Sequence, residues 1–136
     1  PTHENILIMN SDLLTNIDLE EFFLHHQSND ADISVACIPY TVNIPYAILE
    51  TNETNILGFK EKPSLTFHSN AGIYLLRREH LNLIPKGSFF NATDLIEMLI
   101  ESKKKVVYYP ILGYWLDIGN MDDYAKAQAD IKYIKF

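Results

Sequence analysis

Ile6-Leu7-Ile8-Met9-Asn10-Ser11-Asp12 is the stretch on which the reading of the fold turns. Four apolar residues run without interruption and then three polar residues stop them. A short continuous apolar run of this kind reads as a strand buried on both faces, with a loop at its carboxyl end. Beyond it, helical and strand patterns alternate. Asp18 is placed to cap a helix running to about residue 26, with Leu19, Phe22 and Phe23 at helical spacing. Asn29-Asp30 breaks it, and residues 33–38 read as the next strand. Two β-rich runs, 46–50 and 56–60, flank the polar 51–55 and predict a hairpin closed by Glu61-Lys62-Pro63. Ser69-Asn70-Ala71-Gly72 reads as a loop before a strand over 73–76, and a short helix is expected over 78–83. A helix to about residue 101 places Leu95, Ile96, Leu99 and Ile100 on one face. A strand over 105–109 and a helix over 120–131 complete the chain. Alternating strands and helices with an inserted hairpin predict an α/β fold: one domain over 1–136, built as a three-layer mixed sheet.

Bulk properties narrow the function. At 136 residues the chain is long enough for a real core, and 47% hydrophobic with 21% charged residues is ordinary for a globular domain. A net charge of -7 argues against a nucleic-acid partner, since phosphate backbones call for a Lys/Arg excess. Cys37 is the only cysteine, so neither an internal disulfide nor a cysteine zinc site is available. No apolar run reaches a membrane span and no signal peptide opens the sequence, so a cytoplasmic setting is expected. The eight Tyr and seven Phe read mainly as core packing.

The chemistry concentrates at four places. Trp115-Leu116-Asp117-Ile118-Gly119 sets an acid between branched apolar residues beside the only tryptophan. A buried carboxylate needs a donor or a metal. Asp117 therefore reads either as a functional acid or as the end of a strand capping the helix near Asn120. Asp12 lies where ligands gather in open α/β sheets, at the carboxyl end of a strand. Taken alone it is equally an ordinary turn aspartate. Two carboxylates brought together repel unless a cation separates them, and magnesium, a hard oxygen-seeking ion, suits such a pair. In Glu61-Lys62-Pro63 the proline restrains Lys62, whose ammonium can meet a phosphate while Glu61 accepts from hydroxyls. The alternative is a solvated charged corner. Asn70-Ala71-Gly72 offers an amide that donates and accepts, beside small residues that admit a ligand, or else a simple turn. The histidines His3, His25, His26, His68 and His80 have no metal-ligand spacing, and no serine or cysteine nucleophile pattern is present.

In order along the chain, Asn10-Ser11-Asp12, Pro45-Tyr46-Ala47, Glu61-Lys62-Pro63, Asn70-Ala71-Gly72-Ile73-Tyr74 and Trp115-Leu116-Asp117-Ile118-Gly119 resemble the sugar-1-phosphate nucleotidyltransferases. The segments Pro45-Tyr46 and 110–119 look most like the mannose-1-phosphate and heptose-1-phosphate guanylyltransferase branch. The resemblance implies a nucleotide-diphospho-sugar transferase fold like that of GT-A glycosyltransferases. It also implies a reaction in which a sugar-1-phosphate and a nucleoside triphosphate (NTP) give a nucleoside-diphosphate (NDP) sugar and pyrophosphate. Asp12 and Asp117 then match the aspartates that hold Mg²⁺, and Lys62 the lysine at the sugar phosphate; these three form the implied catalytic set. Glu61 and Asn70 match sugar-hydroxyl contacts, with Gly72 beside them and Ala47 at the sugar.

Departures from the family pattern shape further expectations. Ser11 and Ala47 stand where the family usually has glycine, and the Ala47 methyl narrows the sugar site. The family's glycine-rich phosphate loop has no counterpart, because Gly58, Gly72, Gly87, Gly113 and Gly119 are scattered. The expectation is therefore the C-terminal, sugar-phosphate and metal-binding part of a nucleotidyltransferase, with a fold incomplete at its N-terminus, inactive alone, and self-associating through exposed sheet edges. Two other readings stand beside it. One is a stand-alone, non-catalytic sugar-phosphate-binding or assembly module. The other is a GT-A-type glycosyltransferase, disfavoured because Asn10-Ser11-Asp12 offers one acid where that class carries Asp-X-Asp.

Overall fold

The computed structural model describes residues 4–136. Its chain divides into two compact units, one made of residues up to Ile38 together with Asn70–Phe136, the other of Pro39–Ser69. The elements in order are β1 (Asn5–Met9), β2 (Leu13–Thr15), α1 (Leu19–Ser28), β3 (Ile33–Asn43), β4 (Ile48–Asn52), β5 (Asn55–Lys60), β6 (Ser64–Arg77), a 3₁₀ turn (Arg78–Leu83), α2 (Ala92–Glu101), β7 (Val106–Pro110), β8 (Trp115–Asp117) and α3 (Met121–Asp130).

The first unit is built on a four-stranded sheet in the order β1-β6-β3-β7. It is mixed: β1 runs antiparallel to β6 with Leu7 opposite Leu75, while β3 and β7 are parallel with Ile33 opposite Val106. From Ala71 to Leu76, β6 is buried without a break, so both its faces are covered. Period-two alternation then sorts the core. Ile73 and Leu75 pack with Phe22 of α1, whereas Tyr74 and Leu76 pack with Leu95 and Leu99 of α2. Helices on opposite faces of one sheet are the three-layer α/β arrangement that the sequence predicts. Each fully buried Phe, Ile or Leu contributes about 1.5–3 kcal/mol.

Helix ends follow the side chains. Asp18 accepts from the Glu21 N–H at 2.9 Å and starts α1. Asn91 forms a capping box with Asp94 at the start of α2. Leu19 and Phe23 of α1 are exposed, as is Ile100 of α2, so the buried stripes are narrower than the sequence predicts.

Two strands correct expectations more sharply. β1 lies at the edge of the sheet, and its Leu7 and Met9 side chains are exposed. The expected burial on both faces fails because one face alone is covered: Ile8 packs against the cluster of Leu95 and Leu99, while Leu7 and Met9 alternate with it onto an open face. Asn70-Ala71-Gly72 is not a loop before a strand but lies inside the 14-residue β6. Gly72 keeps its place there with φ +72°, a conformation that side chains rarely adopt.

The second unit holds the predicted hairpin. β4 and β5 pair antiparallel, Ile48 opposite Lys60 and Leu49 opposite Phe59, around a turn with Glu53 at φ +52°. Its large apolar side chains, including Tyr40, Tyr46, Phe59 and Phe67, are exposed. Core packing accounts for Phe22 and Tyr74, but not for these aromatics, nor for Phe89, Tyr133 and Phe136.

Candidate functional site

In the first unit the site grows from a two-stranded ladder. β2 and β8 pair antiparallel with Leu13 opposite Asp117 and Thr15 opposite Trp115. One step beyond Leu13, the Ile118 N–H donates to the Asp12 carbonyl at 2.8 Å. Asp12 and Asp117, far apart in sequence, thus have adjacent backbones. Both residues are exposed, which corrects the expectation that Asp117 is a buried acid. With its carboxylate in solvent there is no desolvation cost for a partner to offset. Asp117 does end a strand, but the helix cap is a different residue: Asn120 accepts from the Asp122 and Asp123 N–H groups at 2.9 and 3.0 Å. Neither the Asp12 nor the Asp117 carboxylate has a hydrogen-bond or ion-pair partner among the described residues. Two unengaged oxygen-donor groups at one end of a ladder fit a hard divalent cation in donor chemistry.

The Asn70–Gly72 segment of β6 borders this ladder. The Trp115 indole N–H donates to the Ala71 carbonyl at 2.9 Å. The Asn10 N–H donates to the Gly72 carbonyl at 2.9 Å. A Cβ on Gly72 would lie 2.5 Å from Asn10 Nδ2, so glycine is required there for space as well as for φ. Asn70 is braced from both ends of its amide: Oδ1 accepts from the Gly72 N–H and Nδ2 donates to the Tyr74 hydroxyl, each at 2.9 Å. One amide N–H and one lone pair remain for a ligand.

Glu61, Lys62 and Ala47 belong to the second unit. The hairpin register, with Ile48 opposite Lys60, brings Ala47 and the Glu61-Lys62-Pro63 corner to the same end of the ribbon. The Ile44 N–H donates to the Pro63 carbonyl at 3.0 Å and ties the two segments together. Lys62 has φ +42°. Ahead of Pro63 it takes a left-handed conformation, sparsely populated by residues with a side chain. Local strain of this sort clusters at ligand sites. Glu61, Lys62 and Ala47 are all exposed.

Sequence reasoning missed several supports. Asn10 was visible only as the first residue of its motif, and its contact with Gly72 is long-range. Asn16 accepts from the Tyr114 N–H at 2.6 Å and donates to the Lys135 carbonyl at 3.0 Å, with no sequence signal to announce it. Away from the aspartates, Asp32, Glu79 and His80 form a cluster whose ligand atoms lie within 4.8 Å of one another. His80 Nε2 is 2.6 Å from Asp32 Oδ1, and Asp32 Oδ2 accepts from the Lys105 N–H at 2.7 Å. This hydrogen-bonded brace ties the 3₁₀ turn to the residues that precede β3 and β7. Burial, the largest influence on Asp32, raises its pKa, but the Lys105 N–H and His80 outweigh it and hold the carboxyl below its usual range. A polar cavity of about 900 Å³ lies nearby, lined in part by Asn5, His26, Arg77 and Arg78. His26 hydrogen bonds Ser34 Oγ at 2.8 Å, and burial, followed by Arg77 and His25, lowers its pKa.

Comparison with known proteins places these features. The family model described as nucleotidyl transferase matches residues 1–133. The D-glycero-alpha-D-manno-heptose 1-phosphate guanylyltransferase of Aneurinibacillus thermoaerophilus is 33% identical over 97% of this chain and 58% of its own length. A glucose-1-phosphate adenylyltransferase of Bacillus cytotoxicus is 29% identical over 94% of this chain and 37% of its own. The chain thus spans about half the length of the curated relatives it matches. Among solved structures, HddC from Yersinia pseudotuberculosis has a TM-score of 0.65 at 20% identity, covering 96% of this chain and 56% of that one. At that identity the likeness speaks for the fold.

Proposed function

We propose, for a chain that belongs to the nucleotidyl transferase family, that it carries the sugar-phosphate and metal-binding part of a sugar-1-phosphate nucleotidyltransferase. The reading rests above all on Asp12 and Asp117, whose backbones the β2–β8 ladder makes neighbours, with both carboxylates exposed and unengaged among the described residues. In the proposed reaction a phosphate oxygen of the sugar-1-phosphate forms a bond to the α-phosphorus of the NTP. The bond from that phosphorus to the α–β bridging oxygen breaks, and pyrophosphate leaves with the electron pair. Little covalent chemistry is asked of the protein, and positioning with charge neutralisation suffices.

Each residue has a role in this scheme. Asp12 and Asp117 would hold Mg²⁺, which when bound neutralises phosphate charge. Lys62 presents its ammonium to the sugar phosphate. Glu61 accepts from sugar hydroxyls, and Asn70 offers its one free amide N–H. Gly72, buried with its N–H and carbonyl already bonded, holds Asn70 and Asn10 in place beside the sugar. Ala47 narrows the sugar site by a methyl group. The heptose 1-phosphate guanylyltransferase and the glucose-1-phosphate adenylyltransferase among the relatives support a heptose- or hexose-1-phosphate as the sugar substrate.

The 136 residues contain no glycine-rich phosphate loop, so the chain alone is proposed to be inactive. Incubation of the chain with a panel of NTPs, sugar-1-phosphates and Mg²⁺ should yield no NDP-sugar; formation at an enzyme-like rate would contradict this. Calorimetry with hexose-1-phosphates tests the sugar half, and absence of heat at millimolar ligand would count against it.

A cytoplasmic setting is proposed as well, supported by the lone buried Cys37, whose thiol pKa burial pushes up. Among the described residues no helix is long and apolar enough to cross a membrane. A second copy of the chain is the proposed protein partner, through unpaired sheet edges such as β1.

A further inference from the structure

The β2–β8 ladder that makes Asp12 and Asp117 neighbours is small. Among the described residues it is a two-stranded sheet of its own, with three residues in each strand. A strand pair of this size is marginal by itself in water. Its register nevertheless decides the site. A slip of one residue would carry Asp117 past Asp12 by about 3.3–3.4 Å and turn its side chain to the opposite face. Both aspartates stand at one end of the ladder, where the Ile118 N–H meets the Asp12 carbonyl at 2.8 Å.

The fastening lies at the other end. There Tyr114 is held by both of its peptide groups. Its carbonyl accepts from the Asn16 N–H at 3.2 Å and from the Thr15 hydroxyl at 2.7 Å. Its N–H donates to Asn16 Oδ1 at 2.6 Å. Asn16 thus grips Tyr114 twice, once with its backbone and once with its side chain. The amide nitrogen of the same side chain donates to the Lys135 carbonyl at 3.0 Å, which fixes the orientation of the amide. Gly113 makes room for it: a Cβ there would lie 2.2 Å from Asn16 Oδ1. The φ of Gly113 is not positive, so space for Asn16 is what requires glycine at this position.

Other contacts hold the two strands without setting their register so sharply. The Trp115 indole fastens β8 to β6 through the Ala71 carbonyl, which leaves the position of β2 along β8 open. Leu13 and Ile17 pack against the core on the α1 side of the main sheet. Such packing is non-directional, whereas hydrogen bonds weaken steeply when their geometry is lost.

We infer that Asn16 is the positioning residue of the aspartate pair: its bonds to Tyr114 set the register of β2 on β8, and with it the placement of Asp12 against Asp117. The inference rests on the proposed role of that pair in holding a divalent cation. Asn16 follows Asp12 by four residues, roughly 13 Å of extended chain, and acts through the ladder rather than on the cation.

Mn²⁺ titration of the protein as the cell makes it tests the inference, with free Mn²⁺ read by electron paramagnetic resonance. Mn²⁺ suits the same oxygen donors as Mg²⁺. The variants are Asp117→Asn, Asn16→Ala, Asn16→Asp and Gly113→Ala, each checked for folding by circular dichroism. Asp117→Asn should lose the bound ion. Asn16→Ala and Gly113→Ala should each weaken Mn²⁺ binding by about 10-fold or more, the scale on which residues supporting metal ligands act. If one of these two does not fold, the other carries the test. Asn16→Asp keeps an oxygen for the Tyr114 N–H and gives up the Lys135 bond, so it should bind Mn²⁺ more tightly than Asn16→Ala. A merely structural Asn16 would lower the urea midpoint and leave Mn²⁺ affinity unchanged. That result in a folded variant, with binding lost in Asp117→Asn, overturns the inference and leaves the aspartate pair standing. Asn16→Asp binding as weakly as Asn16→Ala overturns it as well. Absence of Mn²⁺ binding in the unaltered protein, or binding that Asp117→Asn leaves intact, overturns the aspartate pair and the inference with it.

Discussion

Replacing Gly72 by alanine should damage the fold where β6 meets Asn10. Two costs combine. The backbone sits at φ +72°, and holding a residue with a Cβ there costs about 1–2 kcal/mol. The new Cβ would also lie 2.5 Å from Asn10 Nδ2 and 2.8 Å from Asn10 Cγ. The Asn10 side chain has to swing away, and displacements of this kind in packed sites cost about 1–3 kcal/mol. The restricted unfolded chain returns about 0.4–1 kcal/mol. A net loss of about 2–4 kcal/mol is expected, a large part of the roughly 5–15 kcal/mol that stabilises a typical domain. Urea unfolding followed by Trp115 fluorescence reads it well, since the indole bonds the Ala71 carbonyl beside the substituted position. With a urea slope of about 1–3 kcal/mol per molar, the midpoint should fall by roughly 1–2 M. Gly87→Ala is the control: φ there is +76°, but nothing lies within 4 Å of the new Cβ, so the backbone cost of about 1–2 kcal/mol, less the same unfolded-chain return of about 0.4–1 kcal/mol, is all that applies. A Gly72→Ala midpoint equal to that of Gly87→Ala would refute the claim that Asn10 is crowded against β6.

Trp115→Phe removes the indole N–H from the Ala71 carbonyl and should cost about 1–2 kcal/mol, read by circular dichroism because the reporter tryptophan is gone. An unchanged midpoint would mean the bond contributes nothing. His26 titrates below its ordinary 6.5 in the folded chain, with burial as the main cause. Its stabilising contribution is therefore complete above pH 6.5 and lost as pH falls through the depressed folded value. Between about pH 7 and 5 the urea midpoint should fall more steeply in the unaltered chain than in His26→Gln, and parallel slopes would contradict this assignment.

The α/β plan was legible because its signals are local. The apolar run of β1, the Asp18 cap and the helical spacing of Leu95 and Leu99 need no knowledge of distant residues. The illegible parts depend on neighbours. Asn70-Ala71-Gly72 carries the composition of a turn, yet it continues β6, since Gly72 exchanges its strand-like φ for a bond to Asn10 far away in sequence. The burial of β1 was over-read because an apolar run does not reveal whether both of its faces will be covered, and the Leu7–Met9 face is open. Asp117 looked buried among Trp115, Leu116 and Ile118, yet it lies at the exposed last position of β8. The register shift that leaves Leu57 without a partner between Gly58 and Ile56 cannot be seen in the sequence. In the first unit the segments of Asp12, Asn70–Gly72 and Asp117, distant in sequence, lie next to one another, whereas the contacts of Asn10, Asn16 and the Asp32–His80 pair emerged only from the fold.

A metal-assisted nucleotidyl transfer to a sugar-1-phosphate, served by Asp12 and Asp117, is the proposed activity. Its most direct test is pyrophosphate and NDP-sugar formation by the protein as the cell makes it, with Mg²⁺, a panel of NTPs and sugar-1-phosphates, and an Asp117→Asn variant alongside. Product with the unaltered protein and a loss on the order of 10²–10³-fold in the variant, at unchanged folding, is the predicted result. Absence of product from every substrate pair, or full activity in Asp117→Asn, would contradict it.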